Sequence, residues 1–276
     1  MQHTIQKETT TAGTGLHSGA AINLALKPAP AGHGIVFVRT DLQGDNRIPA
    51  LWDKVTDTRL CTVISNSSGA SIGTIEHLMA ALRGCAIDNI LIELNGPEVP
   101  AMDGSSKPFV DMIDKAGIAA QNAPRRAIRI LKEVTVEEGD KTVTLKPAEE
   151  FIFAGEINFD HPDIGRQRYE IKLLNGNFRH DLADSRTFGF FHEVEMMRKA
   201  GLARGGSLDN AIVLDKDKVM NPEGLRHSNE FIRHKLLDAI GDLYLAGAPV
   251  LGAYEGVKAG HAMNNAVLRK LFASQD

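Results

Sequence analysis

Apolar positions come first in short alternating or continuous runs, and only in a few longer stretches at helical spacing. Residues 22–26 alternate (Ile22, Leu24 and Leu26 around Asn23), and residues 35–38 run apolar, with Pro and Gly between them; both read as strands. Residues 74–82 carry a helical pattern, with Thr74 as the expected N-cap and Gly84 as the expected stop. A buried strand is expected over 89–94. A second helix follows over 108–115, opened by Ser105 and Ser106 and ended by Gly117.

The pattern breaks at Gln121-Asn122-Ala123-Pro124, which predicts a domain boundary there: residues 1–123, then 124–276. Strands are expected over 134–136, 143–145, 151–157 and 169–171. A helix is expected from Phe188 to just before Gly201, and a long one over 229–246. A strand over 250–253 and a last helix over 261–272 complete the reading. The halves resemble each other faintly. In each, a histidine in a helix is followed by a strand and then by a glycine that opens another helix. His77 and Gly104 are 27 residues apart, His234 and Gly260 26. A duplicated helix–strand–helix unit accounts for this spacing.

The long helix carries the strongest local signal. With about 100° per residue, Asp238 falls about 40° from His234, Asp242 about 80° and Lys235 about 100°. Ile232, Leu236, Leu237, Ile240, Leu243 and Tyr244 gather on the other side. Such a polar stripe is ordinarily a solvated face with local ion pairs. The sharper reading is that His234 and Asp238, at spacing i, i+4, ligate one metal ion. A second cluster supports it. Glu76 and His77 stand among apolar neighbours, where an unpaired charge is costly. Glu76 by itself suits a helix start, and His77 by itself suits a satisfied core histidine. Together with His234 and Asp238, however, His77 completes a two-histidine, one-carboxylate set that leaves one zinc position open. Glu76 is then free to act on water instead of coordinating. In a third cluster, Gly260 is expected to turn the chain into the last helix, with His261 at its start. The positive helix end disfavours a charged imidazole, so His261 is either a surface capping residue or needs a carboxylate partner. Asp242 is available for that.

Composition narrows the class. The 276 residues carry 31 basic and 35 acidic side chains, a formal charge of −4, which excludes a basic nucleic-acid footprint. Two cysteines, Cys61 and Cys85, make no disulfide framework and suit a reducing, cytoplasmic setting. No apolar leader or run of about 18 apolar residues is visible.

Three further motifs join these clusters, Gly15-Leu16-His17-Ser18-Gly19, Met102-Asp103-Gly104-Ser105 and Ser185-Arg186-Thr187-Phe188-Gly189-Phe190, and the third cluster runs on as Gly260-His261-Ala262-Met263-Asn264-Asn265. With Ile75-Glu76-His77-Leu78 and the stretch from Arg233 to Leu243, and in this order, they resemble the UDP-3-O-acyl-N-acetylglucosamine deacetylase family of lipid A synthesis in Gram-negative bacteria, over nearly the whole chain. The resemblance implies an α+β fold of two similar layered α/β sandwich domains, with helices packed between them and a small insert in each. It implies one Zn2+ per chain on His77, His234 and Asp238, with Glu76 as general base and His261 as acid or electrophile. Asp242 would partner that histidine, and Thr187 would assist the oxyanion. It implies a UDP-linked acylated amino sugar as substrate, contacted by Lys235, Phe188, Phe159 and Lys258. Cys61 is expected to line the pocket. The acyl chain is expected in an apolar passage walled by Phe191, Val194, Met197, Leu202, Leu208 and Val213. Arg204 is a charge where this passage calls for an apolar loop. Phe159 also fits a strand core, and an apolar helix face usually packs a core. A monomer with at most peripheral membrane contact is expected. The rival readings are a zinc amidohydrolase on another acylated amino sugar, and an inactive carrier of the same fold.

Overall fold

A computed structural model describes residues 1–273; the last three residues of the expected second domain lie outside the described residues. Six helices are described: α1 (Glu76–Gly84), α2 (Lys107–Ala116), α3 (Phe178–Asp181), α4 (Phe191–Lys199), α5 (Glu230–Tyr244) and α6 (His261–Ala273). Each half has a mixed sheet. In the first, the strand order is Thr9–Thr14, Ala21–Pro28, Ile90–Leu94, Ile35–Arg39, Arg47–Pro49. In the second it is Val134–Glu138, Lys141–Lys146, Val250–Val257, Phe151–Asn158, Arg166–Lys172. The central strand of each, Ile90–Leu94 or Val250–Val257, is antiparallel to one neighbour and parallel to the other. In both halves the chain runs through four sheet strands, an insert, a helix, the central strand and a second helix. The duplication inferred from two matched spacings is therefore a repeat of topology.

Several strands alternate buried and more accessible positions, most regularly Val250–Val257, where buried and half-buried residues alternate throughout, so each sheet turns one face to helices and one to water. Helices α1 and α5 pack together between the sheets. One apolar core takes in Phe37 and Ile92 of the first sheet, Leu78 and Leu82 of α1, Leu236 and Ile240 of α5, and Leu145 and Phe153 of the second sheet. This is the expected α+β sandwich with helices between its layers. The closest approach is at Gly241: a Cβ there would stand 2.1 Å from the Glu76 carbonyl oxygen. That absent side chain lets α5 lie directly against the start of α1.

Several local expectations change. Thr74 is not the cap of α1. It has φ +55, its hydroxyl donates to Glu98 Oε2 at 3.3 Å, and the helix opens at Glu76 after Ile75. Gly84 lies inside α1 and not past its end; it is small because the Phe178 ring would stand 2.1 Å from a Cβ. Gly117, by contrast, ends α2 with φ +75. The turn before α6 is made at Lys258, φ +49, while Gly260 has open space around it. The helix expected from Phe188 begins only at Phe191. Phe188–Phe190 is a strand, paired in parallel with Ile212–Leu214, because alternating aromatics there fit a ladder better than a turn of helix. The strand expected over 250–253 continues to Val257. Thr9–Thr14 escapes an apolar pattern altogether, yet it pairs along its whole length with Ala21–Pro28. Among the described residues no helix is long and apolar enough to cross a membrane.

Candidate active site

The polar stripe of α5 does not face water. His234, Asp238 and Asp242 are all buried, as are Glu76 and His77 at the start of α1. Because α1 crosses α5 at Gly241, the first turn of α1 is delivered against the polar side of α5. His77 Nε2 and His234 Nε2 lie 3.4 and 3.3 Å from Asp238 Oδ1, and the two imidazoles meet edge to face with centroids 4.9 Å apart.

These atoms fit a metal ion. His234 Nδ1 donates to the Ser185 carbonyl at 3.0 Å, which leaves the Nε2 lone pair pointing at Asp238. Burial pulls the His234 pKa down to about 3, with Asp238 opposing, so the ring is neutral. Asp238 Oδ1 is buried without a hydrogen-bond partner. Two imidazole nitrogens and a carboxylate oxygen therefore converge, all within 4.8 Å of one another. A cation relieves that arrangement, and two imidazoles with one carboxylate suit zinc. Lys235 closes the outer side, its Nζ 3.2 Å from Asp238 Oδ2 and 5.5 Å from the Phe188 ring centroid.

Glu76 and His261 stand beside this set. Burial raises the Glu76 pKa against the pull of His261 and His77. The Thr62 backbone N–H donates to Glu76 Oε2 at 3.0 Å, leaving Oε1 toward His261 Nε2 at 3.9 Å. His261 does open α6, and it is not a surface cap. Its Nδ1 donates to Asp242 Oδ2 at 2.7 Å. Burial would lower its pKa, but Asp242 and Glu76 outweigh that and push it up to about 10. Asp242 is itself held by the Thr62 hydroxyl at 2.6 Å and the Asn264 amide at 2.9 Å. The imidazole is therefore charged at neutral pH, despite the helix start it occupies.

Leu60, Cys61, Thr187, Phe188 and Lys235 also line this metal pocket, of about 120 Å³. Burial, with the Glu76 charge nearby, pushes the Cys61 thiol up to about 12, so it lines the pocket as a neutral group and not as a thiolate ligand. The pocket shares Leu16, His17, Thr187 and Phe188 with an apolar cavity of about 260 Å³. Phe191, Val194, Met197, Leu208 and Val213 line that cavity. Leu202 does not. It follows α4, ties its N–H back to the Met197 carbonyl at 2.8 Å and is 37% exposed, because the turn that ends the helix carries it away from the passage. Arg204 also stays out: the side chain is exposed, and its loop docks by its backbone on His17 and Leu16. Phe159 is half-buried against Phe188 and Phe190, at 5.7 and 6.0 Å. Lys258 lies at the end of Val250–Val257, with its Nζ 2.5 Å from Asp140 Oδ2, outside both cavities.

Two contributors escaped sequence reasoning. Thr62 holds Glu76 and Asp242 at once, from an insert with no helical signal. His17 lines both cavities, and neither of its ring nitrogens has a partner. Its loop is held by Glu98, which accepts the His17 and Ser18 N–H groups at 3.1 and 2.7 Å. The signal was the histidine inside the Gly15-to-Gly19 motif, a loop-borne polar residue between glycines.

Fold and site together define a metal-dependent hydrolase: a two-histidine, one-aspartate set with a buried carboxylate and a charged imidazole beside it, at the end of an apolar passage. Residues 2–273 match the family described as UDP-3-O-acyl N-acetylglycosamine deacetylase, and the chain belongs to that family. It is 53% identical over 276 residues to the UDP-3-O-acyl-N-acetylglucosamine deacetylase of Phenylobacterium zucineum, covering 100% of this chain and 94% of that one. It is 49% identical over 272 residues to the enzyme of that name from Myxococcus xanthus (99% and 86% covered), and 48% over 277 residues to that of Shewanella violacea (100% and 90%).

Proposed function

We propose that this protein hydrolyses the N-acetyl group of UDP-3-O-acyl-N-acetylglucosamine, releasing acetate, in lipid A biosynthesis. The observation that carries this is the unpartnered Asp238 oxygen between the imidazoles of His77 and His234, next to Glu76 and at the mouth of an apolar passage. Family membership supplies the substrate. In this reading His77, His234 and Asp238 would hold one Zn2+, which would supply Lewis acidity toward the acetyl carbonyl and toward water.

The chain's own groups carry the protons. Glu76, with one oxygen held by the Thr62 N–H, takes a proton from the attacking water through the other. The Thr187 hydroxyl and the charged His261 steady the negative oxygen of the tetrahedral species. His261 gives its proton to the departing nitrogen, and Glu76 restores it across the 3.9 Å between them. Lys235 and Phe188 contact the sugar at the pocket rim, beside the neutral Cys61. The acyl chain lies against Phe191, Val194, Met197, Leu208 and Val213. Phe159 and Lys258 face the nucleotide, with Lys258 exchanging Asp140 for a phosphate oxygen. The same reading divides the chain into units of residues 1–123 and 124–276, each giving part of the site.

The test is acetate release from this substrate before and after metal is stripped, then with one equivalent of zinc restored. Release that disappears and returns supports substrate and metal together. A zinc-loaded protein that releases no acetate overturns the substrate, and one that cannot bind zinc overturns the ligand set.

A further inference from the structure

Residues 184–187 belong to no helix or strand, yet they bear two groups on which the site depends. The Ser185 carbonyl orients His234, and Thr187 lines the metal pocket. A short irregular segment is a poor scaffold unless something fixes it. Arg186, between the two, is the largest fully buried side chain described, at 2% exposure.

Its guanidinium makes four hydrogen bonds. Nε and Nη2 fork onto the Glu230 carboxylate at 2.9 and 3.3 Å, Nη1 reaches Glu223 at 2.6 Å, and Nη2 also donates to the Gly224 carbonyl at 2.7 Å. Glu230 is 0% exposed and opens α5 one turn before His234. It also accepts the backbone N–H groups of Arg186 at 3.0 Å and Arg226 at 2.6 Å. One carboxylate thus ties the start of the ligand-bearing helix to the segment that orients its ligand. From the other side, the Thr187 N–H donates to the Gly104 carbonyl, and the Ile212 N–H to the Thr187 carbonyl, each at 2.8 Å.

Stability alone does not explain such a pair. Burying two charges is costly, and apolar residues of similar volume often do as well or better. A forked contact whose carboxylate also collects two backbone N–H groups supplies geometry that an apolar pair cannot. We propose that Arg186 and Glu230 are a positioning pair, which sets the Ser185 carbonyl on His234 and the Thr187 hydroxyl at the metal pocket without touching substrate. The turnover half of this rests on the deacetylase reading; the metal-affinity half does not.

The experiment measures zinc affinity by chelator competition, together with kcat and KM, for Arg186→Lys, Glu230→Gln and Glu223→Gln. The control is Phe37→Leu, a core change in the first sheet. Arg186→Lys keeps the charge and loses the fork; Glu230→Gln keeps the shape and loses the charge. Each is expected to weaken zinc binding by about 10–100-fold and to lower kcat with little change in KM. Glu223→Gln, at the solvent-facing end of the network, should move both in the same direction by less. Phe37→Leu should leave both unchanged even where it lowers the melting temperature as much. The proposal is overturned if folded Arg186→Lys or Glu230→Gln keeps wild-type zinc affinity and kcat. It is equally overturned if Phe37→Leu weakens zinc as much at equal loss of melting temperature. Should the two inner variants fail to fold, an unchanged Glu223→Gln overturns it. Wild-type protein that binds zinc but releases no acetate removes the deacetylase reading and leaves the zinc comparison standing.

Discussion

In the first half, His77 is the second residue of a nine-residue helix; in the second half, His234 is the fifth residue of a fifteen-residue one. The strand order around them is the same, but the helices are loaded differently. α1 offers only its first turn, Glu76 and His77. α5 offers three polar positions along one side, His234, Asp238 and Asp242. The second helix of each half differs too. α6 opens with the charged His261, whereas the loop before α2 supplies the Gly104 carbonyl that holds Thr187. The inserts diverge most. The first, with the short strands Val55–Asp57, Val63–Ser65 and Ser71–Ile72, places Thr62 on two carboxylates. The second, with α4 and its flanking strands, encloses an apolar cavity. A repeated scaffold thus brings two unlike halves into one site, and neither half alone holds a complete ligand set.

The largest expected effects come from emptying either half's contribution. His77→Ala and His234→Ala should each lose bound metal, read by metal analysis of the purified protein, and with it all measurable turnover. Retention of one equivalent in either would place the ion elsewhere. Glu76→Gln should keep its metal while kcat falls by about 10²–10⁴-fold; a loss of metal there would make Glu76 a ligand. Next comes the crossing itself. Gly241→Ala puts a Cβ against the Glu76 carbonyl, an overpacking of about 1–3 kcal/mol, with a drop in melting temperature of about 2–10 °C. Because the two halves must separate there, metal affinity should fall as well. An alanine variant of normal melting temperature and metal affinity would show that the halves are not held by this contact.

The pH dependence separates the two helix starts. Glu76 works ionised, and burial raises its pKa, so activity should climb through an acid limb above the ordinary carboxylate range. His261 works protonated, with a pKa of about 10, so activity should fall only near that pH. The stability it contributes has the matching sign: a raised folded-state pKa gives stabilisation present in full below about 6.5 and lost as pH rises through about 10. Asp242→Asn should move the basic limb to lower pH, because it removes the charge 2.7 Å from Nδ1. A basic limb unmoved in that variant would detach Asp242 from the activity.

Much of this division was legible in the chain. Helical periodicity put His234, Asp238 and Asp242 on one side of a long helix, and two matched spacings pointed to duplication. Periodicity could not say that this side is buried, because a polar stripe looks the same against water as against a second helix. The crossing depends on Gly241, which carries no pattern signal. Thr62 was illegible for a related reason: it acts partly through a backbone N–H, which every residue but proline has. Lys258 reversed the usual rule, since it, and not the glycine two residues later, adopts the left-handed conformation. The helix expected at Phe188 failed because three alternating residues satisfy a strand and a helix start equally until a partner strand, here Ile212–Leu214, is present.

The smallest expected effect tests the second insert. Sequence position put Leu202 and Met197 in the same apolar wall, but the cavity has Met197 in its lining and Leu202 outside it. Truncating Met197 to alanine removes half-buried side-chain atoms that line the cavity and are worth about 0.8 kcal/mol per methylene to an apolar ligand, so KM for the acylated substrate should rise about tenfold at little change in kcat. Leu202→Ala removes atoms already 37% exposed and should leave KM within about twofold, as surface changes generally do. The same pair assayed on a substrate lacking the acyl chain should show no difference, because Met197 then has nothing to cover. Equal effects of the two truncations on KM would mean that the turn after α4 closes over the acyl chain when it binds. The second insert would then be a moving wall, unlike the first, whose Thr62 is fixed by hydrogen bonds to both helices of the site.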